Sequence, residues 1–207
     1  MKFSKTFFNK ALVASGLLLA LPFSSLPAQA DGFHYQISLS TRFIADAEGK
    51  LSVLGMGWTY DADVSAALIE ESEITDANRA EVLKGRASDI LADLFDLGYF
   101  SQLAVGGEPV DVTEVEDYGM VLGTDGRLTL SFQLPLVDPV SVKGKKVSLR
   151  MADPDGVGTL SYVNAQQVSL DATLAAACSS PSLTQETVTL PGDHKLTVPT
   201  AAFECRP

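Results

Sequence analysis

The only imidazoles in this 207-residue chain are His34 and His194, which leaves histidine-based acid–base or nucleophilic catalysis few places to assemble. No Gly-x-Ser-x-Gly elbow, His-Glu-x-x-His pair or phosphate-cradling glycine loop occurs. The expectation is a protein that binds rather than an enzyme. Imidazole is the commonest protein metal ligand, and His34 follows closely on Asp31, where an exported chain would begin. Copper and nickel clamps built on a free amino terminus need histidine third, whereas His34 would stand fourth. A hydrogen-bonded strand histidine is the commoner role for such a residue; metal ligation is the sharper alternative.

Two further groups could carry chemistry. Asp153-Pro154-Asp155-Gly156-Val157-Gly158 imitates the start of a calcium loop, with acids first and third and glycine sixth. Val157 then stands fifth and Asn164 twelfth, where a calcium loop wants an oxygen ligand and a bidentate glutamate. A turn between strands fits better. Cys178 and Cys205 are too far apart for a Cys-x-x-Cys redox or zinc motif, and in an exported chain they are expected to form a structural disulfide.

Export is read from the amino terminus. Lys2, Lys5 and Lys10 precede an apolar run from Ala11 to Phe23 and a polar segment ending Ala28-Gln29-Ala30, the three parts of a secretory signal. The run is short for a membrane span. Residues 1–30 are therefore expected to be cleaved near Ala30, leaving residues 31–207 as one periplasmic domain with no membrane span. Cleavage removes three lysines and no acid, so the formal charge falls from −11 to −14. Such a surface repels phosphate backbones and excludes nucleic acid as a partner.

The elements that would position these residues follow from periodicity. Tyr35, Ile37, Leu39, Thr41 and Phe43 alternate as one face of a strand. A turn at 46–49 leads to a second strand through Leu51, Val53, Met56, Trp58 and Tyr60, with Gly55 and Gly57 expected to mark a bulge. Asp61 can cap a helix over 62–69. A longer helix, started by Thr75 and Asp76, carries Leu83, Ala87, Ile90, Leu91 and Leu94 at helical spacing and ends at Gly98. Glu81, Asp89, Asp93 and Asp96 are expected to face water. Short strands follow at 100–105, 110–115, 120–122, 128–136, 146–151, 160–170, 187–190 and 195–198, with glycine turns at Gly106-Gly107 and Asp125-Gly126. The stretch 172–181 is expected to be mobile. The fold class is α+β: a mainly antiparallel, sandwich-like β-sheet with a two-helix insertion around 62–97.

The order of four motifs resembles a family of bacterial periplasmic proteins of unknown function, described as an uncharacterised ABC-type transport system periplasmic component. They are Gly32-Phe33-His34-Tyr35 before a strand, Trp58-Thr59-Tyr60-Asp61 before Ser65-Ala66, Leu97-Gly98-Tyr99-Phe100 leading to Gly107-Glu108-Pro109-Val110, and Asp125-Gly126-Arg127-Leu128 followed by Asp153-Pro154. Genes of that family often neighbour nickel/cobalt-type permeases. The resemblance implies an accessory or binding protein in transition-metal transport or homeostasis, with a membrane permease as partner and a divalent transition metal as ligand. The family's His-Pro-His start is reduced here to His34, with Gly32 and Phe33 in the other two places. A metal site would draw on Asp31 and Asp61 beside it. The alternative from a different class is a protein–protein interaction module that docks on a permease or another exported partner.

Overall fold

The computed structural model describes residues 35–70, 72–189 and 195–207. Alternating apolar residues drive strands β1 (Tyr35–Ala45) and β2 (Leu51–Tyr60) into an antiparallel hairpin. Asp46 closes it, its Oδ1 accepting the N–H groups of Glu48 and Lys50. Gly49 takes the left-handed φ of 76° that a turn of this kind requires.

The remaining strands are β3 (Ser101–Val105), β4 (Glu108–Val110), β5 (Tyr118–Leu122), β6 (Leu128–Val140), β7 (Lys146–Met151), β8 (Gly158–Ser161), β9 (Val168–Leu170), β10 (Ser182–Thr189) and β11 (Lys195–Glu204). One sheet runs β5-β6-β2-β1-β8, with β9 also on β1, and the other runs β10-β11-β7-β3-β4. Pairing is antiparallel except where β8 and β9 lie parallel to β1. Ile37, Leu39, Phe43, Leu54, Trp58, Leu130 and Phe132 of the first sheet share one buried core with Leu103, Val147, Leu149 and Phe203 of the second. Phe43 and Phe203 meet edge-to-face with centroids 4.9 Å apart. The architecture is the expected α+β, sandwich-like arrangement.

Helices α1 (Ala62–Ile69) and α2 (Arg79–Phe95) form the insertion. The buried face of α2 is Leu83, Ala87, Leu91 and Leu94, at helical spacing, and its acids Glu81, Asp89 and Asp93 are exposed, as is Asp96 after it. The helix begins at Arg79 rather than at Asp76. Thr75 bonds Asn78 through both its N–H and its hydroxyl, which makes 75–78 a turn in front of the helix. Beyond α2, Gly98, Tyr99 and Phe100 all adopt left-handed φ values of 56°, 52° and 56°. For Tyr99 and Phe100 this costs about 1–2 kcal/mol each. Both rings are almost fully buried, and burying one large side chain contributes about 1.5–3 kcal/mol. Burial wins, and the turn reverses the chain from α2 into β3.

Several strand expectations are corrected. Gly55 and Gly57 sit in regular register opposite Arg42 and Ser40, and the irregularities fall instead at Ala45 and between Leu51 and Val53. The physical role of Gly57 is close approach, because a Cβ there would lie 2.4 Å from the Ser40 hydroxyl. The stretch 160–170 is not one strand: Asn164 caps a 3-10 turn at Ala165–Gln167 and splits it. Strand β4 stops at Val110, after which only Val112 bridges to Leu136. Part of 172–181 is helical, as α3 (Ala172–Ala177), capped by Asp171 accepting from Leu174 N–H at 2.8 Å. Strands β10 and β11 are longer than their apolar cores suggest.

Cys178, just after α3, is bonded to Cys205 at the end of β11, which is the expected disulfide. The 27-residue separation makes the link worth about 3–4 kcal/mol through chain entropy in the unfolded state. A Cys178→Ala/Cys205→Ala double variant is expected to lose about that much stability in urea unfolding. Phe100→Ala should cost about 3–5 kcal/mol and shift the fluorescence of Trp58, the only tryptophan.

Candidate functional site

The residues proposed from sequence for metal are unequally visible. His34 and Asp31 lie outside the described residues, as do the cleavage region and His194. Asp61 is described and plays the capping role read from sequence. Its Oδ1 accepts from Val64 N–H at 2.9 Å, which starts α1. Its Oδ2 accepts from Gln36 N–H at 2.9 Å, which ties the cap to β1. Desolvation pushes the Asp61 carboxyl up, but the backbone bonds from Val64, Gln36 and Asp63 and the charge of Arg127 outweigh it and hold the carboxyl below its ordinary value. Among the described residues no group of three or more His, Cys, Asp or Glu side chains is gathered as for a metal ion.

Ser65 fixes the other side of α1. It is completely buried, donates to Asp61 C=O at 2.6 Å and accepts from Leu128 N–H at 2.9 Å. The helix is thereby bonded to β6 as well as to β1.

Asp153-Pro154-Asp155-Gly156 forms the expected turn, between β7 and β8. Asp153 is 3% exposed. Its Oδ1 accepts from Asp155 N–H, and its Oδ2 accepts from Gly158 N–H and from the Tyr35 hydroxyl, both at 2.7 Å. The carboxylate thus bonds its own loop and pins it to the first residue of β1. Burial, the bond to Asp153 and the Asp153 charge together push the Tyr35 phenol far above its ordinary value.

Between this turn, β1, β2, α1 and α2 lies an apolar cavity of about 290 Å³. Ile37, Trp58, Tyr60, Leu68, Ile90 and Phe100 are among its walls, with Tyr35 and Val157 beside the turn. Trp58 stacks on Phe100 with centroids 5.7 Å apart and meets Phe132 edge-on at 5.4 Å. Its Nε1 is buried with no hydrogen-bond partner among the described residues. Desolvation raises the Tyr60 phenol well above its ordinary value. Sequence periodicity placed Tyr35, Ile37, Trp58 and Tyr60 on inward faces; the gap they leave is a product of packing and has no local signal. A second, wider depression of about 710 Å³ crosses the first sheet, where Ser40, Gly57, Ser131 and Gly119 form one row across four strands.

These features define a two-sheet α+β domain with a helical insertion that walls an apolar cavity, and no described residue set in it forms a catalytic triad or metal cluster. The chain belongs to the DUF1007 family, described as "protein of unknown function", whose model matches residues 17–190. No curated protein matches this sequence. Among the described residues, no helix is long and apolar enough to cross a membrane.

Because the Asp61 carboxyl is lowered in the folded state, its contribution to stability is present above the unfolded carboxyl's ordinary value and is lost as pH falls through the folded one. Asp61→Asn is therefore expected to be less stable than the parent at neutral pH, with the gap closing below about pH 4. Urea midpoints measured across that range check this.

Proposed function

We propose that this chain is a periplasmic accessory or binding protein of a transition-metal transport or homeostasis system, of the nickel or cobalt kind, and not an enzyme. Its signal, residues 1–30, would be removed near Ala30, and the metal would be held where the new amino terminus meets Asp61. The observation that carries this reading is the 2.9 Å bond from Gln36 N–H to Asp61 Oδ2, since Gln36 is two residues along from His34. Asp61 is held in its charged form by its backbone bonds, so an anionic ligand, distant in sequence, is bonded to the strand entered from His34. Divalent transition metals accept imidazole and carboxylate together, and Asp31 would add a second carboxylate. The Cys178–Cys205 bond fits an oxidising compartment, and the acidic surface favours cations. Resemblance to proteins encoded beside nickel/cobalt-type permeases supports the transport setting.

A second reading, a non-catalytic module docking on a permease or another exported partner, is favoured by the wide depression across the outer face of the first sheet. Calorimetric titration separates the two. The chain starting at Asp31 is titrated with nickel, cobalt, zinc and copper, alongside His34→Ala and Asp61→Asn. One saturable site, weakened on the order of tenfold or more by each substitution, is expected. No uptake of any of the four metals would sink the metal reading and leave docking as the role.

A further inference from the structure

We infer that the cavity between β1, β2 and the two helices binds a small, uncharged, apolar molecule carrying one hydrogen-bond acceptor, such as a short ketone or ester. Its volume, about 290 Å³, is at the lower end for small-molecule sites, which are concave, mostly apolar and furnished with a few polar groups. No charged side chain lines it. An ionised ligand would lose its hydration there without a partner, a cost that excludes it.

The polar groups that do line the cavity are donors. Tyr35 has committed its hydroxyl to Asp153. Tyr60 is 6% exposed, and its hydroxyl makes no hydrogen bond to another described residue. Trp58, 1% exposed, has its Nε1 unpartnered as well. The Trp58 nitrogen is enclosed by its neighbours, so the Tyr60 hydroxyl is the polar group left to meet a ligand in this otherwise apolar space, and it can donate to an acceptor from outside the chain. A single carbonyl oxygen on an apolar body supplies it without bringing a charge.

The surrounding structure is rigid enough to hold such a ligand. Asp153 locks the turn at Tyr35, Val157 stands beside it 38% exposed, and Ser65 and Asp61 fix α1, which contributes Val64 and Leu68 to the wall. The site shares no ligand residue with the proposed metal site, so each stands or falls alone.

The test uses the chain starting at Asp31 and follows the single indole N–H resonance, which belongs to Trp58. The probes are acetophenone, ethylbenzene, which has the ring but no acceptor, and benzoate, which carries a charge. Saturable binding of acetophenone is expected, roughly threefold to tenfold tighter than ethylbenzene, the value of one hydrogen bond, with no binding of benzoate. Tyr60→Phe keeps the ring and should erase the preference for acetophenone; Leu68→Phe, at a partly exposed position, should fill the cavity and weaken both neutral probes. The inference is overturned if neither neutral probe binds, if benzoate binds as tightly as acetophenone, or if the preference is absent in the parent or survives in Tyr60→Phe.

Discussion

The stack of Trp58 on Phe100 is the contact on which the arrangement of sheets and helices depends. Trp58 comes from the inner face of β2, and Phe100 from the left-handed turn that ends the helical insertion and opens β3 in the opposite sheet. Phe132 of β6 and Tyr99 extend the cluster, with centroids 6.0 Å apart. Tyr99 reaches further, its hydroxyl accepting from Val115 N–H at 3.1 Å. Aromatic pairs of this kind contribute about 0.5–1.5 kcal/mol beyond their burial. The cluster therefore stabilises the backbone that bulky residues otherwise avoid, and the strained turn in turn delivers β3 to β7.

Carboxylates supply the second constraint, and they do so against the overall charge. A chain with 26 acids and 15 basic residues repels itself when compact. Asp46, Asp61, Asp153 and Asp171 offset this by spending their oxygens on backbone N–H groups at turns and helix starts. Each bond satisfies a donor that a helix end or turn leaves free. Asp61 and Asp171 add a tertiary step, since each also accepts from an amide of β1, at Gln36 and Ala45. The two ends of β1 are thus tied to α1 and to the residue that caps α3. Few ion pairs share this work: the three among the described residues join partly or fully exposed side chains, where such pairs contribute little.

What could be read from sequence was whatever has a local cause. The alternation of Tyr35 to Phe43, the capping carboxylate Asp61, the helical spacing of Leu83 to Leu94 and the Asp125-Gly126 turn each encode their structure within a few residues. Gly55 and Gly57 were misread because a strand glycine has two physical uses, and only the neighbouring strand shows that Gly57 makes room for Ser40. The break within 160–170 hinges on Asn164, whose side chain caps the 3-10 turn while Gln167 bonds back to it, a reciprocal pair that apolar periodicity overlooks. The helix at 172–177 was hidden by its small residues, which carry little hydrophobic pattern; the Asp171 cap was its one local sign. The cavity was illegible for a different reason, because it is a shortfall in packing between elements far apart in sequence.

Helix α1 joins these levels. Eight residues are too few for an isolated helix to persist in water, so α1 exists through what it touches. Asp61 starts it and ties it to β1, Ser65 bonds it to β6, and Val64 and Leu68 face the cavity. Its position is consequently set from two sides by hydrogen bonds, while on the third side it meets an unfilled space. That leaves the apolar packing of α1 incomplete where every polar connection is made. Filling the space would add contacts without breaking a bond, which is the physical condition under which an occupant stabilises a fold rather than competing with it.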